Sequence, residues 1–168
     1  MDDAVLEKLL KGHTREDFIN VVEDFRKTGL ALAPTFIPFT PWTSLEGYRE
    51  MLKLLLDLNL VDAVSPVQLA LRLLIPNGSP LLELDEIRKV VTGFDHEGLL
   101  HRWKHADPKM DEVAASILHL VNDHQRNGSS RRETFRAIWE AANEGRPPEN
   151  YDLLPRAAVP YLDEPWYC

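Results

Sequence analysis

With 168 residues, the chain is long enough to bury a hydrophobic core in one domain or slightly more. Hydrophobic residues make up 44% of it and charged residues 27%, which are ordinary values for a globular protein and argue against wholesale disorder. The net charge of −8 argues against nucleic acid as the main partner, because a phosphate-binding surface needs excess positive charge. No apolar run is long enough to cross a bilayer and the first residues lack a signal-peptide pattern, so we expect a cytoplasmic protein with no membrane partner.

The single cysteine, Cys168, is the last residue of the sequence and follows an aromatic segment that contains prolines. Because no second cysteine exists, it cannot form a disulfide within the chain. One thiol also cannot supply the three thiolates that an iron–sulfur cluster normally requires, or a cysteine-rich zinc site. Two interpretations of Cys168 stay open at this point: an inert terminal thiol, or the reactive end of a redox tail.

The first half of the sequence predicts alternating helices and strands. Thr14-Arg-Glu-Asp17 combines a capping hydroxyl with acidic residues, so a helix is predicted to begin there and to end at Gly29. Residues 30–37 are apolar nearly throughout, as in a strand covered on both faces of a parallel sheet, although Pro34 favours an edge position. Thr43-Ser-Leu-Glu46 has the pattern of a capping box and predicts the start of a second, strongly apolar helix.

A second covered strand is predicted over residues 63–75, before the turn Pro76-Asn-Gly-Ser-Pro80. Residues 66–75 could also form a short buried helix, but the flanking prolines favour the strand. The order helix, strand, helix, strand is typical of an α/β barrel or a doubly wound sheet. Two strands complete neither fold, so the sequence predicts that this sheet associates with another part of a larger protein.

The second half is predicted to be mainly helical. Residues 84–106 carry turn signals and three of the six histidines. Asp107-Pro108 predicts the start of one helix and Ser130 the start of another, and we expect the two to form an antiparallel pair. From Arg146 the sequence becomes rich in proline, which predicts an irregular arm up to the end.

Several segments together resemble the last third of a radical S-adenosylmethionine (SAM) barrel. They are Leu6-Glu-Lys-Leu-Leu-Lys-Gly-His-Thr14 with the helix after it, Gly29-Leu-Ala-Leu-Ala-Pro-Thr-Phe-Ile37 and Pro41-Trp-Thr-Ser-Leu-Glu46. The turn Pro76-Asn-Gly-Ser-Pro-Leu81 resembles the Pro-Gly-Thr-Pro-Leu that often follows the sixth strand of such barrels. The end, Tyr161-Leu-Asp-Glu-Pro-Trp-Tyr-Cys168, resembles that of the radical SAM proteins named for a Cys-Sec-Ala-Glu-Pro or Cys-Cys-Ala-Glu-Pro tail.

The resemblance implies an α/β fold in three parts. Residues 1–83 would be the last two strands and their helices of a partial (β/α) barrel, residues 84–145 a helical extension, and residues 146–168 an irregular tail. The implied cofactors are SAM and a [4Fe–4S] cluster, and the implied reaction is hydrogen abstraction from an unknown substrate by a 5′-deoxyadenosyl radical. The cluster motif Cys-x-x-x-Cys-x-x-Cys is not in this sequence, so the implied partner is an amino-terminal half encoded upstream or in a separate frame. The chain alone is expected to be inactive.

The resemblance also implies a role for Cys168 as the first residue of a redox tail. In this family the next residue is cysteine or selenocysteine. If it is selenocysteine, we expect the codon after that of Cys168 to be TGA, followed by codons for Ala-Glu-Pro. A TAA or TAG codon there would exclude this interpretation.

Five residues are expected to lie on the SAM side of the barrel. By resemblance, Ile37, Leu73 and Leu74 belong to the two strands that contribute to the SAM pocket. Thr35 and Gln68 are polar residues on or beside the strand ends, where ligands of α/β proteins tend to bind. The alternative is that the apolar three are ordinary core and that the polar two satisfy local backbone groups.

Arg72 and two histidines are the other candidates. Arg72 lies in a run of leucines and needs a partner if it is buried; an intramolecular Asp or Glu is expected rather than a ligand carboxylate. His101 and His105 could chelate a metal if they were helical, with Asp107 close by. No His-Glu-x-x-His pattern supports that arrangement and Asp107 is better used as a helix cap, so no metal ligand is predicted.

Two functions of different class follow from the sequence. The first is the carboxyl-terminal part of a radical SAM enzyme, which depends on the amino-terminal half for its cluster. The alternative is a non-catalytic module of helices and strands whose apolar sheet edge binds another protein.

Overall fold

The computed structural model describes residues 1–148 and residue 151, and within them helices dominate a mixed fold of helices and strands. The helices are α1 (Asp3–Lys8), α2 (Arg15–Thr28), α3 (Leu45–Asp57), α4 (Asp85–Val90), α5 (Pro108–Arg126) and α6 (Arg131–Ala142), with short 3₁₀ helices at Pro66–Leu69 and Pro80–Glu83. The strands are β1 (Val91–Asp95) and β2 (Leu100–Trp103). The predictions made for Cys168 and for the tail at residues 149–150 and 152–168 lie outside the described residues.

The helix starts agree with the local capping signals of the sequence. The Thr14 hydroxyl accepts a hydrogen bond from the Asp17 amide and the Asp17 carboxylate accepts one from the Thr14 amide, which fixes the start of α2. Asp107 caps α5 as predicted, and Ser130 caps α6. The predicted end of α2 is also confirmed, because Gly29 adopts the left-handed conformation with a φ of 69°.

The start of α3 differs from the prediction by one residue. The side chain of Ser44, not Thr43, caps the helix by accepting a hydrogen bond from the Gly47 amide. The Thr43 hydroxyl instead lies 2.8 Å from the hydroxyl of Thr40, which is 2% exposed. The buried Thr40 hydroxyl needs a hydrogen-bond partner, and the Thr43 hydroxyl is that partner. The next hydroxyl in the sequence, that of Ser44, therefore caps the helix.

Neither of the predicted barrel strands forms a continuous ladder. Residues 30–37 are irregular, and residues 66–69 form a 3₁₀ helix. The two segments nevertheless meet, because the Phe39 amide donates to the Leu71 carbonyl at 3.1 Å and the Leu73 amide donates to the Phe39 carbonyl at 2.8 Å. These two bonds make a parallel bridge between Phe39 and Arg72 that is a single residue long.

Side chains and a proline stop this bridge from growing in either direction. The next donor on one side would be residue 41, a proline without an amide hydrogen, and the Leu73 carbonyl accepts from Trp103 Nε1 at 2.8 Å. The next acceptor on the other side, the Leu69 carbonyl, accepts from the Tyr48 hydroxyl at 2.9 Å. The predicted strands were therefore too long. Side chains from distant residues occupy the backbone carbonyls that a longer ladder would use.

A β-hairpin that the sequence analysis did not predict follows α4. β1 and β2 pair antiparallel with Phe94 opposite His101, and a bulge lies between Val91 and Gly93. The Asp95 carboxylate holds the turn, since one oxygen accepts from the amides of residues 97 and 98 and the other pairs with Arg102 at 2.8 Å. The outer edge of β2 contacts the end of the second predicted strand, where the His101 amide donates to the carbonyl of residue 75 at 2.7 Å.

One buried cluster joins both halves of the chain. Its members before residue 84 include Val22, Tyr48, Leu52 and Leu55, and its members after residue 106 include Ile117, Val121, Phe135 and Ile138. The core therefore crosses the boundary that the sequence predicted at residues 83 and 84. A second, smaller cluster of Leu73, Ile75 and Ile87 lies under the hairpin and α4.

α5 is the longest helix, with 19 residues, and only one of its faces is buried. The buried face carries Met110, Ala114, Ile117 and Val121 at helical spacing. Its opposite face carries the exposed residues Glu112 and His119. None of the helices in the described part of the chain is both long enough and apolar enough to cross a membrane.

Candidate functional site

A cavity of about 320 Å³ lies between α1, the start of α3 and the irregular segment 35–38. Its apolar wall includes Val5, Leu6 and Leu9 of α1 together with Phe36, Ile37 and Met51. Its polar groups include His13, Thr35, Thr43 and Ser44, and the charged residues Asp2 and Lys11 also line it. A mainly apolar cavity with a few convergent polar groups is the usual form of a small-molecule site, and this volume lies near the lower end of the usual range.

Local sequence explains how each wall is placed. Phe36 packs edge-on against Phe18 of α2, with ring centroids 5.7 Å apart. The Phe36 amide donates to Gln68 Oε1 at 3.2 Å, which ties the segment to the 3₁₀ helix Pro66–Leu69. Ser44 and Gly47 present the first turn of α3 to the cavity, so the amino-terminal end of that helix dipole faces it.

Three titratable groups of the cavity wall are constrained by burial or by their neighbours. Tyr48 lies on the wall, but its hydroxyl donates to the Leu69 carbonyl and burial raises its pKa well above the ordinary tyrosine value. Burial and the nearby Arg15 guanidinium lower the pKa of the Met1 amino group. His13 Nδ1 lies 3.0 Å from the Lys11 carbonyl, which occupies one of its two ring nitrogens.

Only some of the residues predicted for SAM meet at this cavity. Thr35 and Ile37 line it, and Ile37 is 44% exposed. Gln68 does not line it, but holds its wall through the bond to Phe36. Leu73 is buried in the second core cluster, and Leu74 is 64% exposed to solvent, so neither belongs to the cavity wall.

No protein-family model, curated protein or solved structure matches this chain.

Arg72 has an intramolecular partner, as predicted. Its Nη1 lies 2.8 Å from Asp111 Oδ1, and its guanidinium carbon lies 4.1 Å from the centroid of the Trp103 ring. Asp111 also accepts a hydrogen bond from the His105 amide at 3.1 Å. Trp103 and Asp111 were not predicted from the sequence. The charge of Arg72 indicates that a partner is needed, but it does not identify which acidic or aromatic residue will be that partner.

The two candidate histidines do not share a helix face. His101 lies in β2 with its ring 4.9 Å from the Phe94 ring, whereas His105 follows β2 and its Nδ1 accepts from the Asp107 amide at 2.9 Å. In the described residues, no three His, Cys, Asp or Glu side chains come together closely enough to hold a metal ion. The helical arrangement considered for His101 and His105 is wrong, because His101 lies in β2 and His105 follows that strand.

Proposed function

We propose that this chain is the carboxyl-terminal part of a radical SAM enzyme. The observation that carries the proposal is the parallel bridge between Phe39 and Arg72 with α3 between the two paired segments. A strand, a helix and a second parallel strand form the repeating unit of a (β/α) barrel. Three of the motifs that resemble the family, at residues 29–37, 41–46 and 76–81, adjoin or overlap these segments. A bridge of one residue supports the order strand, helix, parallel strand. The complete barrel is part of the proposal.

In this proposal the cavity at α1 and α3 is what this chain contributes to the SAM site. The apolar side chain of Ile37 would pack on the adenine ring, and the Thr35 hydroxyl would hydrogen-bond a polar group of the nucleoside. The size and apolar walls of the cavity fit part of such a ligand. Arg72 would not bind the carboxylate of SAM, since Asp111 already pairs with it.

The residues of this chain do not fit the cluster. A [4Fe–4S] cluster of this family takes three cysteine thiolates, and the sequence has only Cys168. The amino-terminal half would have to supply all of them, so the polypeptide described here is proposed to be inactive by itself. On the segment before α3, the apolar side chain of Leu30 is 62% exposed and offers a contact for that half.

The test is to express this chain together with the upstream-encoded amino-terminal polypeptide and to measure iron content and SAM cleavage. We expect the complex to contain a four-iron cluster and to produce 5′-deoxyadenosine, and we expect neither part alone to produce 5′-deoxyadenosine. Ile37→Lys should abolish cleavage, whereas Leu118→Lys, at a residue of similar exposure on α5, should leave it intact. A folded complex that binds no cluster, or the lack of any upstream cluster-binding sequence, would overturn the proposal.

The second candidate is a non-catalytic interaction module, and one observation favours it. Leu30, Leu74 and Leu99 are all more than 60% exposed, although leucine is usually buried. Such side chains are typical of protein-binding surfaces when they lie close together. A stable complex with the amino-terminal polypeptide that shows neither cluster nor SAM binding would favour this candidate over the first.

A further inference from the structure

We propose that Asn77 is a site of spontaneous deamidation in the folded protein, and that the fold protects Asn127 from the same reaction. The chain contains the tripeptide Asn-Gly-Ser twice, at residues 77–79 and 127–129. Because the two tripeptides are identical, any difference in reactivity between them has to come from their surroundings. The inference does not depend on the proposed function.

The reaction needs a free backbone amide after the asparagine. The deprotonated amide nitrogen of the glycine attacks the side-chain carbonyl carbon of the asparagine, and a new C–N bond closes a succinimide ring. The side-chain nitrogen leaves as ammonia and takes up the proton that the backbone amide gave away. Solvent water then opens the ring to aspartate or isoaspartate, so one water is consumed, one ammonia is released and nothing is oxidised or reduced. Glycine permits the attack because it has no side chain to obstruct the nitrogen.

Asn77 lies in an exposed turn whose backbone leaves this amide free. The turn runs from Pro76 to Ser79 and is closed by the Ser79 amide, which donates to the Pro76 carbonyl at 3.1 Å. Asn77 and Gly78 are both exposed. Within the described residues the Gly78 amide donates to no acceptor, so the attacking nitrogen is available without breaking any bond.

Asn127 is equally exposed but lies at the carboxyl end of α5, where successive amides are all in use. The Asn127 amide donates to the Asp123 carbonyl at 3.0 Å and the Gly128 amide donates to the Gln125 carbonyl at 3.2 Å. The Ser129 amide donates to the His124 carbonyl at 2.9 Å. The attack at this site therefore requires the helix end to open first, which lowers the reactive population.

Deamidation at Asn77 would change the turn in two ways. It would replace a neutral amide with a carboxylate, which adds one negative charge to a chain that already carries −8. The isoaspartate product would also lengthen the backbone by one carbon between the bridge from Pro76 to Leu100 and the 3₁₀ helix Pro80–Glu83. The modified turn should therefore hold the hairpin less firmly.

The experiment follows both sites in one sample. The full chain is aged at mildly alkaline pH, digested and analysed by mass spectrometry that separates asparagine, aspartate and isoaspartate peptides; the two sites fall in different tryptic peptides, residues 73–88 and 127–131. We expect Asn77 to react several-fold faster than Asn127 in the native chain, and the two rates to converge in urea. Asn77→Gln should remove the fast phase and leave the Asn127 rate unchanged.

Two results would overturn the inference. Equal rates in the native chain, or a faster reaction at Asn127, would show that the free Gly78 amide does not control reactivity. A difference that persists in urea would assign the effect to the preceding residues, Pro76 and Arg126, instead of to the fold.

Discussion

Four helices in the described part of the chain end in the same hydrogen-bond pattern, with glycine, asparagine or leucine at its left-handed position. α2 and α5 use Gly29 and Gly128, α3 is followed by Asn59, and α1 is followed by Leu10 with a φ of 51°. In each case the left-handed residue donates three residues back and the next residue donates five back. Glycine and asparagine tolerate this conformation, whereas leucine does not, and Leu10 is also 85% exposed. The end of α1 therefore carries a local cost without compensating burial.

Replacing this leucine should stabilise the protein. A left-handed conformation costs an ordinary residue roughly 1–2 kcal/mol, and glycine avoids this cost. Because glycine also gives the unfolded chain more conformational entropy, part of the gain is lost, and Leu10→Gly should raise the free energy of unfolding by about 0.5–1 kcal/mol. Urea unfolding measures the change. Leu10→Ala, which removes the side chain and keeps the strain, is the matched control and should stay close to the wild type. A Leu10→Gly variant no more stable than Leu10→Ala would contradict the assignment of strain.

Tyr151 provides a pH-dependent contribution to stability. Its hydroxyl donates to the Arg132 carbonyl at 2.5 Å and its ring stacks on Phe135, and burial raises the pKa of Tyr151 to about 12. Because the folded pKa is higher than the ordinary value of about 10, the contribution is complete below pH 10 and is lost as the pH rises toward 12. Tyr151→Phe should lower the free energy of unfolding by about 0.5–1.5 kcal/mol at neutral pH, since one hydrogen bond is lost.

The measurement compares urea unfolding of the two proteins across alkaline pH. The difference between wild type and Tyr151→Phe should shrink between about pH 10 and pH 12. A difference spectrum of tyrosinate absorbance should show one late-titrating tyrosine missing in the variant. A constant difference in stability over this interval would show that the phenol is not held in its protonated form.

At the scale of elements, the ion pair between Arg72 and Asp111 joins the second half of the parallel bridge to α5. Both side chains are about one-third exposed, at 33% and 28%, and Arg72 also lies over the Trp103 ring. A double-mutant cycle with Arg72→Met and Asp111→Asn should give a coupling energy of about 1–2 kcal/mol, because the bond is charge-assisted and partly shielded from water.

The same cycle on Lys53 and Asp57 of α3 is the control. This pair is four residues apart on one helix, and its side chains are 65% and 55% exposed. Its coupling should be below about 0.5 kcal/mol, since solvent screens it. Similar values for both pairs would mean that the contact of Arg72 with α5 is no stronger than an ordinary surface pair.

The helices α2, α3, α5 and α6 could be predicted from sequence because their signals are local, whereas α1 and α4, of six residues each, were not predicted. Thr14 and Asp17 lie three residues apart and cap α2 without help from distant parts of the chain. Gly29 ends the helix through an equally local signal, its left-handed conformation. The short pairing at Phe39 could not be predicted, because its length depends on Tyr48 and Trp103 taking the neighbouring carbonyls. These residues lie 9 and 64 positions along the chain from Phe39, beyond the reach of any local pattern.

The candidate site shows the same division. Thr35 and Ile37 were predicted to lie on the SAM side of a barrel, and both line the cavity, while its ligand stays a prediction. Leu73 and Leu74 could not be resolved, since neighbouring residues of an extended segment point to opposite sides and only the hairpin decides which side is covered. The hairpin itself was missed because its turn is held by the Asp95 side chain, without the Asn-Gly or Asp-Gly pair that marks the shortest hairpins.

At the scale of the whole molecule, the shared core predicts a single cooperative unfolding transition for the described part of the chain. Ile138 of α6 is fully buried among residues of α3 and α5. Ile138→Ala should therefore lower the free energy of unfolding by about 2–5 kcal/mol and lower amide protection in α3 by the same amount as in α6.

Native-state hydrogen exchange measures both effects in one sample. Leu118→Ala, at a residue of α5 that is 42% exposed, is the control and should change protection by less than about 0.5 kcal/mol. Loss of protection confined to α5 and α6 would show instead that the two halves of the chain unfold independently, despite their common core.

The one-residue bridge at Phe39 also bears on how the protein behaves at high concentration. Long unpaired strand edges act as templates on which other chains add, and such addition is the first step toward fibrils. Prolines at positions 34, 38 and 41 remove three amide donors from the segment around Phe39, and the bulge between Val91 and Gly93 interrupts β1. This surface offers no run of regularly spaced backbone amide donors on which another chain could add as a strand. The interrupted pairing that keeps the sheet small should therefore also disfavour fibril growth at this edge.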